Sequence, residues 1–433
     1  MNQRDAMRQA AESARRMLEP IEGDLTRLLQ ELVRADTVAI PPDGNENAGQ
    51  AVLEEFLRAH GVECESYDTG FLAESDHPCR RLDRNYAGRR NLIARLPGAG
   101  SGRRLLFNGH MDTVPPGRDP WTDGPWSGAI RGGRLYGRGS FDMKGGLAAQ
   151  FGVACALRKA GVRLGGDVLC ESVVDEEWGG GGGTLAGRLR GDTADACVIP
   201  EGTQLVVALA TRGGVVVDLV CEAGDPTAYF STDEVVSPAI PVGRLLGWVD
   251  GWVERRRQIP RGEAYASFPD PAPVQVLAVE ANTTARELPY SVPLTAAVRM
   301  YFQFLPYEEP AEVVEEVRRS LDRFCADDPF FRVYPLKWKP AFDPPLKGHE
   351  LAPDHPWSRC FIECATESLG RRPEVTAAPY PCDAFLAHRE FGIPTLLFGP
   401  CGGGAHNADE YVELRSVFDT AASLLTSALV WCG

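Results

Sequence analysis

Residues 104–112, Arg104-Leu105-Leu106-Phe107-Asn108-Gly109-His110-Met111-Asp112, open as an apolar run and close on a histidine and a carboxylate. A short apolar run bounded by glycine and polar residues reads as a buried strand. The same pattern recurs along the chain. Val168–Val174 reads as a strand ending in Asp175-Glu176-Glu177, and Ala196–Ile199 as one ending in Pro200-Glu201. Pro394–Phe398 leads through Gly402-Gly403-Gly404 to His406, and Leu135–Asp142 delivers a carboxylate just before a small-residue helix at Gly146–Lys159. Alternating strand and helix predicts an α/β fold: a mostly parallel sheet with helices on both faces. In such sheets ligands bind at the carboxyl ends of the strands.

Outward from this centre, Leu25, Leu28, Leu29 and Leu32 lie at helical spacing in a helix or broken pair over 5–34, and Pro41-Pro42-Asp43-Gly44 is a turn. Val52, Leu53, Phe56 and Leu57 mark a further helix, and helices are expected near 356–369 and 414–430. The middle of the chain differs. Strands at Val215–Cys221, Val274–Val279, Leu294–Phe304 and Arg332–Trp338 alternate with helices at Val242–Arg257 and Ala311–Phe324. That order, β-α-β-β-α-β, is the split βαβ arrangement. It predicts a catalytic domain at 1–210 and 343–433, interrupted by a smaller α+β domain at 211–342.

The chain has 433 residues, which by length suits two domains. Hydrophobic residues at 44% and charged ones at 24% exclude a disordered or fibrous chain. A net charge of −15 argues against nucleic acid and anionic membranes as partners, since both demand clustered positive charge. The N-terminal stretch is charged throughout, unlike a signal peptide, and no run reaches the ~18 apolar residues of a membrane span. The 12 cysteines are scattered without CxxC pairing, as in reduced proteins. A cytoplasmic location is expected.

Two histidines and several carboxylates arriving at strand ends from separate segments suggest a metal site. Imidazole with carboxylate and no thiolate suits zinc, with cobalt or manganese as alternatives. Five ligands exceed the three that one catalytic zinc takes, and fit two cations sharing a bridging carboxylate. His60, His77, His349, His355 and His388 lack such company and read as structural.

The motifs NGHMDTVP, GRLYGRGSFDMKGG, DEEWGGGG, IPEG and GGGAHNADEYV, in that order, resemble the di-zinc metallopeptidase family of acetylornithine deacetylase, succinyl-diaminopimelate desuccinylase, aminoacylase and carboxypeptidase G. The resemblance implies that Asp142 bridges two zinc ions, that His110 and Glu201 complete one site, and that Glu177 and His406 complete the other. It implies that Glu176 is the general base and that the Asp112 carboxylate accepts the second imidazole N–H of His110. Asp383 falls near the site, in Pro381-Cys382-Asp383-Ala384, where the family has threonine in place of Cys382. Arg299 matches an arginine that binds the substrate carboxylate, with a plain ion pair as the alternative. The inserted domain resembles a lid through which the family forms homodimers.

Two departures stand out. The family's lid histidine falls on Tyr229, and its lid asparagine falls on Tyr290. Tyr229 then becomes the candidate donor to the substrate oxygen. The expected activity is hydrolysis of an amide bond in an N-acyl amino acid or small peptide-like metabolite. The altered lid leaves two alternatives: a different reaction on the same di-metal scaffold, such as cyclisation or amide rearrangement, or an inactive binding homologue.

Overall fold

The computed structural model describes residues 3–179, 181–223, 236–281 and 293–433. The chain divides into two compact units, Met1–Thr211 with His349–Gly433, and Arg212–Gly348.

The larger unit is built on a nine-stranded sheet. At its centre Thr395–Leu397, Ala196–Ile199, Leu105–His110 and Val168–Val173 run parallel. Arg90–Leu96 and Cys64–Asp68 extend one side antiparallel. The central strands are buried on both faces, as their continuous apolar runs require. The N-terminal helical region is a pair, Gln3–Leu18 and Glu22–Arg34, broken at Glu19-Pro20-Ile21, where proline starts a new turn. Helix Gly145–Ala160 carries small side chains and is buried along most of its length. Phe107, Phe151, Val198, Phe361, Phe398 and Leu425 belong to the core beneath it.

The smaller unit has a four-stranded antiparallel sheet in the order Val274–Ala281, Thr295–Phe304, Gly213–Glu222, Lys337–Pro340. Helices Ala239–Arg257 and Pro310–Asp327 supply Leu245, Trp252 and Val317 to its core, where they join Val217 and Phe302. One expected strand begins late. Residues 332–336 are not strand, because Asp328 caps a short helix at Pro329–Val333, accepting the N–H of Phe330 at 2.8 Å and Phe331 at 3.1 Å. This unit runs on to Gly348, since Leu346 and Gly214 exchange both main-chain hydrogen bonds. Among the described residues, no helix is long and apolar enough to cross a membrane.

Candidate metal centre

The strand Leu105–His110 ends on the buried His110 imidazole. Its Nε2 lies 3.2 Å from Asp142 Oδ1, 3.6 Å from Glu201 Oε1 and 3.9 Å from Glu176 Oε2. Its Nδ1 faces the opposite way and donates to the main-chain carbonyl of Asp112 at 2.9 Å. The expected acceptor was the Asp112 carboxylate, but its Oδ1 stands 3.7 Å away. That carboxylate is fully buried and does something else. Its oxygens accept the N–H of Glu176 at 3.1 Å and of Glu177 at 3.0 Å. An i,i+2 spacing on extended chain brings Asp112 beside His110, and the turn after Val168–Val173 then claims its charge.

Asp142 occupies a non-helical turn before helix Gly145–Ala160. Its Oδ1 faces His110, and its Oδ2 faces His406 Nε2, also at 3.2 Å. His406 Nε2 lies 2.9 Å from Glu177 Oε2. His110, Asp142 and Glu177 offer ligand atoms that all lie within 4.8 Å of one another. Close approach of backbones makes this convergence feasible. A Cβ on Gly146 would collide with the Pro200 carbonyl, so glycine alone lets the Asp142 segment meet the segment of Glu201. His406 takes a left-handed backbone, φ 62°, uncommon for a non-glycine residue.

The same is true of Asp175, φ 67°, which sets the direction of the Glu176-Glu177 turn. Asp175 is held by Arg84 Nε at 3.2 Å and Arg89 Nη1 at 3.1 Å. Arg84 and Arg81 also grip the Trp178 carbonyl, at 2.6 and 3.0 Å. The sequence carries no local signal for this arginine network, whose members meet only through contacts between segments distant in the chain.

The carboxylates in the cluster outnumber the two imidazoles that face them. Burial, then repulsion from Asp142, pushes the Glu201 carboxyl up to about 8. Burial likewise raises Glu176 well above the carboxylate range, with Asp383, Glu201 and Glu177 adding repulsion. Glu177 Oε1 is buried without a hydrogen-bond partner. The nearby charge of Glu177 raises His406 to about 11. For Asp142 burial works upward, but the two imidazoles hold its carboxyl far below the usual range. Crowded carboxylates with only two imidazoles to balance them, an unsatisfied buried oxygen and an oxygen–nitrogen donor set fit divalent cations.

Asp383 is buried in the same unit, its pKa raised by burial to about 7. Neither of its carboxylate oxygens makes an ordinary hydrogen bond, and the nearby Thr184 hydroxyl donates to Asn108 at 3.2 Å. Arg299 belongs to the smaller unit, where Nε and Nη2 pair with both oxygens of Asp218 on the adjoining strand, each at 2.8 Å. Tyr229 and Tyr290 lie outside the described residues.

The model of peptidase family M20/M25/M40 matches residues 106–430. A succinyl-diaminopimelate desuccinylase of Gluconacetobacter diazotrophicus is 33% identical, covering 94% of this chain and 98% of that protein. An N-formyl-4-amino-5-aminomethyl-2-methylpyrimidine deformylase of Halalkalibacterium halodurans is 25% identical, covering 94% of each. The solved structure of the Saccharomyces cerevisiae di-peptidase Dug1p superposes with a TM-score of 0.80 at 15% identity, covering 98% of both chains.

Proposed function

Because the chain belongs to peptidase family M20/M25/M40, a family of metal-dependent amide-bond hydrolases, we propose that it is a two-metal deacylase of N-acyl amino acids or small peptide-like metabolites. The observation that carries this reading is Asp142, whose two oxygens each face a different imidazole. His110 and Glu201 would hold one cation, His406 and Glu177 the other, with Asp142 across both. Zinc suits this donor set. Two bound divalent cations supply acidification of a shared water and polarisation of the scissile carbonyl.

The chain's own residues do the rest. Glu176 sits beside the cluster, 3.9 Å from His110 Nε2, and is not one of the closest-packed ligand groups. Its burial raises the proton affinity of its carboxylate, which suits a group that takes a proton from water and passes it to the leaving nitrogen. Asp112 holds Glu176 and Glu177 by their N–H groups and His110 by its Nδ1–H. Arg299 and Asp383 are candidates for substrate contact, and Tyr229 for donation to the carbonyl oxygen. The Arg299 guanidinium would have to divide its donors between Asp218 and a substrate carboxylate.

The relatives named above as a desuccinylase and a deformylase both remove an acyl group, which favours deacylation over cyclisation, rearrangement or simple binding. Succinyl is the first acyl group to test, given the 33% identity. The partner is a small molecule, with no role for nucleic acid or membrane, and the setting is cytoplasmic. The strand Val274–Ala281 closes one edge of the smaller sheet and exposes Val276, Leu277 and Val279, an edge suited to a homodimer.

The deciding experiment combines metal analysis with an assay panel of N-succinyl, N-formyl and N-acetyl amino acids. The reading expects up to two zinc-like ions per chain, loss of activity on chelation, and release of the free amine. Protein that neither carries nor takes up metal, or that turns over none of the panel when loaded, would refute it.

A further inference from the structure

Glu410 follows His406 by four residues in the same loop and is fully buried. Its carboxylate meets four donors. Oε2 accepts Arg138 Nη1 at 2.6 Å and the Gly139 N–H at 2.9 Å. Oε1 accepts the N–H of Phe141 at 2.9 Å and of Asp142 at 3.1 Å. The main-chain carbonyl of Glu410 accepts a fifth donor, the Gly137 N–H, at 2.9 Å. One residue therefore takes donors from Gly137, Arg138, Gly139, Phe141 and Asp142.

Within that turn the Ser140 N–H donates to the Gly137 carbonyl at 3.1 Å, while the N–H groups of Gly139, Phe141 and Asp142 go to Glu410. Gly139 is left-handed, at φ 79°, and Asp142 lies outside helical geometry at φ −117°, ψ 96°. A buried N–H must find an acceptor, and Glu410 supplies one to Gly139, Phe141 and Asp142 alike. The Asp142 carboxylate must point one oxygen at His110 and the other at His406, both at 3.2 Å. A side chain this short has one bond between Cα and the carboxyl-bearing carbon, so its aim follows the backbone. Glu410 also stands in the loop that carries His406. It thus fastens the segment of the shared carboxylate to the segment of one imidazole.

We propose that Glu410 is a positioning residue for the metal centre, fixing the Asp142 turn against the His406 loop so that Asp142 can serve both cations. This rests on the two-metal reading above. The charge state and shape of the side chain matter separately. Because every partner is a donor, both oxygens must accept, and the amide of glutamine would set an N–H₂ group against two donors in an almost identical volume.

The test is Glu410→Gln, prepared metal-free and titrated with Zn²⁺ and with Co²⁺ against a chromophoric chelator. Wild type should take two ions. The variant should bind 10–100-fold more weakly, the usual effect of losing a partner that orients a ligand, and its Co²⁺ absorption spectrum should change. Leu425→Ala, in the buried face of Leu414–Trp431, provides a loss of stability that leaves the turn untouched, and its metal affinity should match wild type. If Glu410→Gln fails to fold by circular dichroism, Glu410→Asp takes its place. It keeps the charge opposite Arg138 and withdraws the acceptor from Phe141 and Asp142, and the same weakening is expected. Two ions bound within threefold of wild-type affinity, or an equal loss in Leu425→Ala, would overturn the positioning role and leave the two-metal reading standing. A wild-type protein that binds no metal would overturn both.

Discussion

Asp112→Asn tests how the Glu176-Glu177 turn is held. The substitution keeps the shape of a side chain with no exposed surface and removes its charge. In the native protein the carboxylate takes two main-chain donors, Glu176 at 3.1 Å and Glu177 at 3.0 Å. The amide can satisfy one of them and must turn its own N–H₂ toward the other. A hydrogen bond to a charged group contributes about 1.5–3 kcal/mol, and a buried donor left unpaired costs about 1–3 kcal/mol. The strain on the turn is then roughly 3 kcal/mol, equivalent to about 100-fold in an equilibrium constant. It falls on Glu177, the proposed ligand, and on Glu176, the proposed base. His110 is spared, because its Nδ1–H is taken by the main-chain carbonyl of residue 112, which the substitution does not alter. Metal competition titration should show weakened binding of about 10–100-fold, with turnover still depressed when metal is saturating. Metal affinity and kcat both within threefold of wild type would refute the clamp. So would a loss confined to the His110 ring, read from its imidazole N–H resonance.

Glu176→Gln should retain full metal occupancy while kcat falls roughly 10²–10⁴-fold, the range of general acid–base catalysis; lost metal with an unchanged rate per loaded site would mean that Glu176 and Glu177 have been exchanged. His349 is buried as a neutral ring, with Thr211 Oγ1 at 2.8 Å from Nδ1 and the Thr395 carbonyl at 3.2 Å from Nε2. Burial, reinforced by the neighbouring His388 and Arg389, pushes its pKa down to about 3. The unfolded chain takes up the proton near 6.5, so this residue's contribution is complete above that pH and is lost progressively between about 6.5 and 3. At pH 5 the loss is about 2 kcal/mol. Denaturant midpoints at pH 7.5 and 5.0 should differ less in His349→Gln than in wild type, and an identical difference would show that the ring does not titrate as described.

The fold was legible where apolar runs met polar ends. Leu105–His110 and Ala196–Ile199 are buried on both faces, so their apolar runs are continuous, although the first strand runs on past the apolar run at 104–107 to His110. No single residue was decisive: His110, Asp142, Glu201 and His406 were legible because they arrive together at strand ends, in motifs that resemble one family. What holds them was not. Arg84, Arg89 and Asp175 meet through tertiary contacts between segments distant in the chain, and nothing local in a polar loop distinguishes an arginine that will be buried. The boundary near 332–336 failed for a local reason instead: Asp328 before Pro329 is a cap and helix start, and the aromatic residues that follow it read equally well as strand.

The buried carboxylates around the site divide by what surrounds their oxygens. Every ordinary partner of Glu410 and Asp112 is a donor, main-chain N–H groups alone for Asp112 and with Arg138 for Glu410. Their oxygens are satisfied and their task is to hold backbone, although burial still raises the Glu410 carboxyl to about 7. Glu177 keeps one oxygen without a partner, and Asp383 keeps two. Glu201 is pushed up to about 8 by burial and by its negative neighbours. In these the oxygens are only partly satisfied, His406 on one oxygen of Glu177 included, and a buried carboxylate in that condition is costly unless a further cation or a proton supplies the balance. The same side-chain type therefore serves as scaffold or as reactive group according to whether the fold brings N–H groups to it. No spacing rule in the sequence records that difference. Glu410 stands in the same quoted motif as His406, yet only the arrival of the Gly137–Asp142 turn shows that one of them faces the metal centre and the other faces backbone.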